Sequence, residues 1–590
     1  MPRWRALTCA SIGFLTFFAG SPAHAYASTS VSHDQLMQAK GADFGGPNAA
    51  PDLISESDTP VTGDGPVGGG VGNAGQPHHG IQVNDPALDN IQDFPGSAPN
   101  ARPYELSIQS ETSAASFGNN VLVGYNSSAN QPLVLNPNGT RSFVHRFLSG
   151  YSVSHDAGRS WASGFIAPEP GSPFTSGDPS VGVDRAGSFY YASLSATKTG
   201  QSDIIVGKST DGGDSFHPAV EVAKDPGSDK EWLAVGRDVA LAGQDNLYVT
   251  WTSFNSTGST LVFSKSTDGG QTWSAARTLF APVDTGVMSS FIQFSNPVVD
   301  QSSGRLYIPF MHFSNGDVDT FRVLVSDDSG LTFRFLAFNV PGAVDPFAFP
   351  LVQPGTITDC GVNGGARLAL TQGADDGFGA STGLPSFVHE TRLVAQPMAT
   401  AQNGRFFIAF NASTSPFFGD PSSGSEIKLL YSPNGGGSWQ LSTVAGASAA
   451  EPRHVHPAVA VSRDGGQVTV AYYAQGANTK LRTELKTAQV GAGGVSFGDG
   501  TTHLSTWFDL IPSNIPVAQG PGIPAHFTTN YDRTIRPCYD IGEYMAATNL
   551  GDGVIAAWGD NRNPWTSPPD SPAAGTHPQP DVFAKTANSD

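Results

Sequence analysis

An eight-residue pattern repeats five times along this chain of 590 residues and limits what the chain can fold into. It reads Ser-x-Asp-x-Gly-x-(Ser/Thr)-(Trp/Phe) at 154–161, 209–216, 266–273 and 326–333, and a fifth copy at 432–439 carries Asn434 in place of the Asp. Asp, Asn and Ser side chains accept hydrogen bonds from the backbone of a tight turn, the glycine supplies a positive φ, and the aromatic residue begins a new strand. Each copy is therefore predicted to be a β-hairpin turn.

The composition favours many short strands. The chain has 69 glycines and 44 prolines but only 14% charged residues, against about 25% in soluble proteins. Helix bundles and coiled coils are disfavoured, and an all-β fold is predicted. The net charge of −20 opposes non-specific binding to nucleic acid or anionic membranes. A partner is expected to be neutral, or an anion held by a local basic pocket.

A second repeat accompanies the turns. It consists of a polar residue, often followed by Pro, then an alternating apolar run, a Gly-containing turn and an aromatic-rich strand. Seven copies predict seven inner hairpins, which begin at Glu111, Asp178, Glu231, Asn296, Gln396, His456 and Glu543.

The eight-residue pattern resembles the Asp-box, or BNR, repeat of the sialidase superfamily, and the resemblance extends from about residue 105 to the C-terminus. It implies a single β-propeller of four-stranded blades, with each motif on the turn between the third and fourth strands. Seven inner hairpins favour seven blades, and the six blades of the familiar sialidase propeller are the alternative. The resemblance also implies a structural, not catalytic, role for the residues at the Asp position, namely Asp156, Asp211, Asp268, Asp328 and Asn434.

The chain divides into three segments. Residues 1–25 are typical of a signal peptide, with Arg3 and Arg5, an apolar stretch at 7–20 and a small-x-small site at 23–25. Residues 26–100 form a Gly/Pro-rich tail and linker that is expected to be disordered. Residues 101–590 form the sialidase-like propeller. A secreted monomer, extracellular or periplasmic and not inserted in a membrane, is predicted.

The last blade ends one strand short. A strand from 80–84 or from 104–109 is predicted to complete it and to remove the open sheet edge. Residues 335–395 and 499–540 are expected to form large loops over one face.

Export leaves Cys360 and Cys538 in the mature chain. A disulfide between them is compatible with an oxidising compartment, and two free thiols are the alternative. No spacing typical of a structural zinc site is present, so no metal site is predicted. No cofactor is required, although the richness in Asp, Asn and Gly is compatible with structural calcium.

The starts of the inner strands are expected to meet at the mouth of a central channel, where propellers usually bind ligands. They carry carboxylates for acid–base chemistry, imidazoles that titrate near neutral pH, and cations for a substrate carboxylate. His454 and His456 alternate along a strand start, so they are expected to face one side together. The candidates are Glu111, Asp178, Lys230, Glu231, Asn296, Gln396, His454, His456, Asp540 and Glu543.

The densest polar cluster lies at 531–544. Sialidases use a Tyr nucleophile assisted by a Glu, an Asp acid/base and three Arg that hold the sialate carboxylate. The resemblance implies Tyr539 as the nucleophile, with Tyr531 as the alternative, and the strand starts add Glu543, Asp178, His454 and His456 to the predicted catalytic set. The predicted substrate-binding set is Arg533 and Arg536 from this cluster, with Lys230, Glu231 and Glu111 from the strand starts. The family's first-blade arginine has no counterpart here, since Arg102 is the only arginine near Glu111.

Three functions are compatible with these residues. The leading prediction is a glycoside hydrolase acting on exposed glycans. One alternative is a polysaccharide lyase acting on a uronate-containing polymer; the other is a non-catalytic propeller that binds glycan or protein. Simpler interpretations also stand: Glu111, Asp178 and Asn296 as caps of strand starts, and Lys230 and Glu231 as a solvated pair beside Trp232.

Overall fold

The computed structural model describes residues 79–86, 88, 109–130, 133–135, 141–143, 146–170, 172, 174–196, 202–354, 396–417, 423–477, 480–508, 542–567 and 575–587. Strands and short turns make up nearly all of them, and none of them is in an α-helix. The prediction of an all-β chain is therefore confirmed. Within these ranges, no helix has the length and apolar character needed to cross a membrane.

The described strands form seven consecutive antiparallel meanders, which are numbered here in chain order. A short strand, β1 (Ile81–Gln82), precedes them. Meander 1 contains β2 (Gln109–Phe117), β3 (Asn120–Asn130), β6 (Arg146–Ser154) and β7 (Ala162–Phe165), with a side hairpin of β4 (Leu133–Leu135) and β5 (Arg141–Phe143). Meander 2 contains β8 (Phe174–Val183), β9 (Phe189–Ala196), β10 (Ser202–Ser209) and β11 (Val220–Lys224). Meander 3 contains β12 (Ser228–Arg237), β13 (Asp245–Asn255), β14 (Gly258–Ser266) and β15 (Arg277–Phe280).

The second half of the chain repeats this order. Meander 4 begins with a strand in two pieces and contains β16 (Met288–Gln293), β17 (Val298–Val299), β18 (Leu306–Ser314), β19 (Val318–Ser326), β20 (Arg334–Phe335) and β21 (Phe349–Val352). Meander 5 contains β22 (Met398–Gln402), β23 (Arg405–Ser413), β24 (Ser425–Ser432) and β25 (Gln440–Ala445). Meander 6 contains β26 (Arg453–Val461), β27 (Gln467–Gln475), β28 (Leu481–Gly491), β29 (Gly494–Val495) and β30 (Thr502–His503). Meander 7 contains β31 (Ala546–Leu550), β32 (Gly553–Ser567) and β33 (Gly575–Ala587).

The fourth strand of meander 7 comes from the other end of the chain. β1 pairs antiparallel with β33, and Ile81 lies opposite Ala584. Asn84 fixes this register, because its side chain donates to Asp581 at 2.9 Å and accepts from the backbone N–H of Val582 at 2.9 Å. Residues 104–108 and most of 335–395 and 499–540 lie outside the described residues. The described part of the first of these loops contains β21, which pairs with β19.

Hydrophobic clusters lie between consecutive meanders. Meanders 4 and 5, for example, share the largest aromatic cluster, in which Tyr307 stacks on Phe406 at a ring separation of 4.2 Å. Another cluster combines Val121 of meander 1 with Ile555 and Val582 of meander 7. Each sheet therefore buries the apolar side chains of its two faces against the meanders on either side. Such burial leaves little room for charged residues and explains the low charge content.

The five eight-residue turns occupy equivalent positions. Each connects the third strand of its meander to the fourth. In the first copy, the Asp156 carboxylate accepts from the Ser154 hydroxyl at 2.8 Å and from the backbone N–H and hydroxyl of Ser160 at 2.8 and 2.6 Å. Burial acts slightly to raise the pKa of Asp156, but these hydrogen bonds lower it to about 2. The residue therefore closes the turn as an ionised acceptor.

We expect Asp268→Ala to lower the free energy of unfolding by about 1–2 kcal/mol, because the Ser266 and Thr272 hydrogen bonds to its carboxylate are lost. Asp268→Asn is the matched control. Asn434 holds the fifth turn with an accepting amide oxygen, which lies 2.8 Å from the backbone nitrogen of Ser438. The Asn variant should therefore retain more than half of the stability that the Ala variant loses in urea unfolding. Equal losses in the two variants would contradict this role.

A carboxylate cluster in meander 2 contrasts with the eight-residue turns, because here the pKa of an Asp is raised and not lowered. Asp203 of β10 is fully buried, and its carboxyl group lies beside that of Glu169. Burial, followed by the charges of Glu169 and Glu221, raises the pKa of Asp203 from 3.8 to about 7. The folded protein therefore binds this proton more tightly than the unfolded chain does. The stabilisation that comes from protonated Asp203 is complete below the pKa of this residue in the unfolded chain. It is lost as the pH rises through about 7.

We expect Asp203→Asn to raise the free energy of unfolding by about 2 kcal/mol at pH 8 and to leave it nearly unchanged at pH 4. Urea unfolding at the two pH values measures the difference. Asp499→Asn, at an exposed position in meander 6, is the control and should change neither value. A stabilisation of equal size at both pH values would show that Asp203 is not the titrating group.

Candidate functional site

Left-handed backbone recurs where the inner strands begin. Glu111, Asp178, Lys230, Phe294 and His456 all have φ between 49° and 57°. The pairing register of β2, β8, β12 and β26 shifts at these places, so four of the five lie in β-bulges. Such conformations cost of order 1 kcal/mol or more for a non-glycine residue and persist only where neighbouring contacts enforce them. The bulges re-aim the side chains towards the neighbouring meanders.

Three of these residues, Glu111, Asp178 and Lys230, meet Glu543 of meander 7 in one buried ionic cluster. The Nζ of Lys230, in meander 3, lies 2.8 Å from Oε2 of Glu543, 3.4 Å from Oδ2 of Asp178 and 3.5 Å from Oε1 of Glu111. The three carboxylates come from meanders 7, 2 and 1. All four side chains are less than one-tenth exposed. The structure therefore contradicts the interpretation of Lys230 as part of a solvated pair.

Hydrogen bonds fix the carboxylates in the cluster. The side-chain amide of Asn126 donates to Glu111 Oε2 at 2.7 Å, while its oxygen accepts from the backbone N–H of Asp178 at 2.7 Å. The backbone N–H of Glu543 donates to Glu111 Oε1 at 3.0 Å. Gly542 permits this approach, because its φ is +83° and a Cβ there would lie 2.2 Å from Glu111 Cγ. Meanders 7, 1 and 2 are thus joined through a single glutamate.

Lys230 is held as a cation. Burial alone would lower its pKa, but the carboxylates of Asp178, Glu111 and Glu543 raise it well above the usual value. Its Nζ also lies 5.6 Å from the centroid of the Tyr544 ring, within the range of a cation–π contact. Trp232 packs edge-on against Tyr544, with ring centroids 5.1 Å apart. Burial, followed by the nearby carboxylates, raises the pKa of the Tyr544 phenol, so it stays neutral.

Glu231 differs from the other carboxylates. It is 1% exposed, and neither of its side-chain oxygens has a hydrogen-bond partner. Burial and the charge of Asp178 raise its pKa well above the usual range. The site therefore places a carboxyl group with a raised pKa next in the chain to a lysine that is bound by three carboxylates. A carboxyl group with a raised pKa has the character of a general acid.

The other predicted strand-start residues lie outside this ionic cluster. Asn296 accepts a hydrogen bond from the backbone N–H of Ala399 at 2.7 Å and so links meanders 4 and 5. Gln396 is 3% exposed, and neither atom of its side-chain amide group has a hydrogen-bond partner. Asp540, Tyr531, Arg533, Arg536, Tyr539, Cys360 and Cys538 lie outside the described residues.

The two histidines do not face one side. His454 packs against Tyr472 at 5.5 Å and His456 against Tyr473 at 6.0 Å, and these tyrosines are consecutive residues of β27. Consecutive strand residues point to opposite faces of a sheet. The expected alternation is wrong because His456 has a φ of 49° and the register shifts between Val455 and Ala458.

A central cavity of about 340 Å³ lies among the inner strands. Its lining includes residues from the first strand of all seven meanders. Its lining mixes small and apolar side chains, such as Val183 and Thr400, with the amides of Asn296, Gln301, Gln402 and Asn549. Trp232 belongs both to this lining and to the aromatic pair beside Lys230, so the ionic cluster adjoins the cavity.

Two members of the site were not among the predicted residues. Asn126 lies on the second strand of meander 1, and the sequence pattern selected only first-strand positions. Tyr544, whose ring contacts both Lys230 and Trp232, directly follows Glu543 in the sequence. That adjacency was the only signal that pointed to it. Neither position carries a motif that separates it from an ordinary core residue.

No protein-family model matches the chain, and no curated protein matches it. Among solved structures, a protein of unknown function from Dyadobacter fermentans is 12% identical, covering 72% of this chain and 97% of that chain, with a TM-score of 0.35. The Hadza microbial sialidase Hz136 is 11% identical over 87% of this chain and 98% of that chain, with a TM-score of 0.38. Trypanosoma rangeli sialidase in complex with sialic acid is 11% identical, with a TM-score of 0.34, and covers 86% of this chain. The match spans 58% of that sialidase, less than two thirds of its length.

Proposed function

We propose that this protein is an exported, carbohydrate-directed hydrolase built as a closed propeller of seven blades, five of which carry an Asp-box turn. Two observations support the proposal that the seven meanders close into a ring. One is the cavity lined by all seven inner strands, and the other is the apolar cluster shared by meanders 1 and 7. Export rests on the signal peptide predicted at residues 1–25. We assign the catalytic centre to the buried acidic cluster formed by Glu111, Asp178, Lys230, Glu231 and Glu543.

One observation carries the hydrolase proposal. Glu231 is a buried carboxyl group whose pKa is raised well above its usual range by burial, and its chain neighbour Lys230 binds three carboxylates. Cleavage of a glycosidic bond requires one carboxylic acid to protonate the leaving oxygen and a second, ionised carboxylate to act as base or nucleophile. Glu231 supplies the acid. Asp178 supplies the carboxylate, since its side chain and that of Lys230 are the most exposed of the cluster.

The aromatic pair gives the site an apolar wall. Trp232 is partly exposed, and its ring packs edge-on against Tyr544, whose ring centroid lies 5.6 Å from the Nζ of Lys230. Aromatic faces pack against the C–H surface of sugars while carboxylates and lysine bind the hydroxyl groups. A neutral or singly charged sugar therefore suits the cluster better than a polyanion does.

The lyase alternative has less support. It draws in part on His454 and His456 as a pair, and these two side chains pack on opposite faces of meander 6. Its other residues, Arg533, Arg536 and Tyr539, lie outside the described residues.

The proposal is tested by incubating the full chain with a panel of fluorogenic glycosides that includes a sialoside, and with uronate polymers monitored for unsaturated products. Fluorophore release that saturates with substrate is expected from at least one glycoside. Unsaturated-uronate absorbance without glycoside hydrolysis would establish the lyase instead. Silence in both assays, together with saturable binding on a glycan array, would establish a non-catalytic binding protein.

A further inference from the structure

The side chain of Trp232 lies across the central cavity. Trp232 belongs to β12 of meander 3, which shares its apolar clusters with meanders 2 and 4. Its ring nevertheless packs edge-on against Tyr544 of meander 7, with centroids 5.1 Å apart, and against the apolar cluster of meanders 5 and 6. Because the two faces of meander 3 are covered by meanders 2 and 4, its residues reach the other three only across the cavity. The indole ring therefore spans the cavity.

The size of this side chain is unusual for its position. In four meanders regular strand pairing resumes directly after the bulge, and the residues at that point are Ser113, Ser180, Trp232 and Ala458. Among the described residues that line the cavity, Trp232 is the only aromatic one. A small side chain here would leave the cavity open at this level, whereas the indole ring reaches the opposite wall.

The ring separates two compartments of different chemistry. The residues of the ionic cluster precede the cavity-lining residues on the same four inner strands, so the cluster lies nearer the end where these strands begin. The Nζ of Lys230 is 5.6 Å from the Tyr544 ring centroid, and Tyr544 in turn contacts Trp232. Beyond Trp232 lies the cavity of about 340 Å³. A ligand bound at the ionic cluster therefore meets the indole ring before it can enter the cavity.

We propose that Trp232 is the specificity-determining residue of the proposed hydrolytic site, where it closes the cavity and limits the substrate to sugars with short substituents. A long acyl or alkyl group fits only into the cavity, and the indole ring blocks its entry. The cavity itself suits such a group, since apolar side chains such as Met398 and Val459 line it. This inference rests on the proposed function and adds the size of the substituent that the site accepts.

The first test uses the glycoside that the full chain hydrolyses, prepared with acyl substituents of increasing length. For the wild type, kcat/KM should fall by about tenfold or more from acetyl to butanoyl, because one methylene that a pocket does not fit costs about 10–200-fold. For Trp232→Ala, the fall should be less than about threefold, because the longer chain enters the cavity. Trp273→Ala removes the same side chain from the third eight-residue turn, between meanders 2 and 3, and should keep the wild-type dependence.

A second test examines the closure without relying on hydrolysis. Removal of the indole ring leaves a space of its own size beside the cavity, and engineered apolar cavities bind small aromatic molecules that fit them. Calorimetry should therefore show saturable one-to-one binding of indole to Trp232→Ala and none to the wild type. Saturating indole should also restore the wild-type dependence on acyl length in Trp232→Ala.

Circular dichroism shows whether each variant folds. Trp232→Phe keeps an aromatic ring, so it provides the test if Trp232→Ala does not fold, and its dependence on acyl length should be weaker than that of the wild type. The same dependence in the wild type and in both Trp232 variants would overturn the proposal, as would absence of indole binding by folded Trp232→Ala. If the wild type hydrolyses no glycoside, the proposed function fails, and indole binding by Trp232→Ala still decides whether Trp232 closes the cavity.

Discussion

Glu231→Gln is expected to reduce kcat/KM on an unactivated glycoside by about 10²–10⁴-fold, the range that a positioned general acid contributes. The amide has nearly the same shape as the protonated carboxyl group but cannot donate its proton to the leaving oxygen. A glycoside with a strongly acidic phenol as leaving group needs no protonation, so its rate should fall much less. Comparison of the two substrates isolates the proton-transfer step.

The same variant separates chemistry from folding. Because the pKa of Glu231 is raised in the folded protein, its protonation stabilises the fold at low pH, and this contribution is lost as the pH rises through the folded pKa. Glu231→Gln should therefore be at least as stable as the wild type at pH 8. Glu426→Gln, on meander 5, is the matched control and should retain full activity. Normal rates in Glu231→Gln on both substrates would assign Glu231 a purely structural role.

Lys230→Met is expected to lower the free energy of unfolding by about 3–5 kcal/mol, the cost of removing one partner from a buried ion pair. The substitution leaves Glu111, Asp178 and Glu543 without their cation in a site where all three are less than one-tenth exposed. The loss should shrink as the pH falls, because protonation of the carboxylates removes their repulsion. Urea unfolding at pH 7.5 and pH 4.5 measures both effects.

Lys224→Met is the matched control for this prediction. Lys224 pairs with Glu221 on the surface of meander 2, with an Nζ to Oε2 distance of 3.0 Å and both side chains well exposed. Exposed pairs contribute little to stability, so the loss should be a small fraction of that in Lys230→Met. A loss in Lys230→Met no larger than in Lys224→Met would contradict a cation-centred cluster.

Much of the architecture could be predicted from periodic sequence features. The eight-residue turns are local structures in which one carboxylate and one hydroxyl satisfy a backbone turn, so their positions follow from the residues themselves. The strand starts could be predicted for the same reason. Glu111, Asp178 and Glu543 stand at predicted hairpin starts, Lys230 directly precedes the one at Glu231, and the structure brings these four together.

The remaining features of the site depend on tertiary structure. The left-handed bulge at His456 reverses the face that strict alternation assigns to the histidines, and alternation alone cannot reveal a bulge. Asn126 contributes from a second strand, where nothing local marks it. The burial of Lys230 and Glu231 also depends on their neighbours, because carboxylates from three other parts of the chain replace the water that a charged pair would otherwise keep.

The most direct test of a hydrolytic centre built on Glu231 is the pH dependence of kcat/KM for the wild type and Glu231→Gln. The wild type should show a bell-shaped profile whose fall at high pH reports deprotonation of Glu231, shifted upwards by its burial. In Glu231→Gln, the residual activity should lose that fall at high pH. A wild-type profile without such a fall, or the same fall in the variant, would contradict the assignment of Glu231 as the acid.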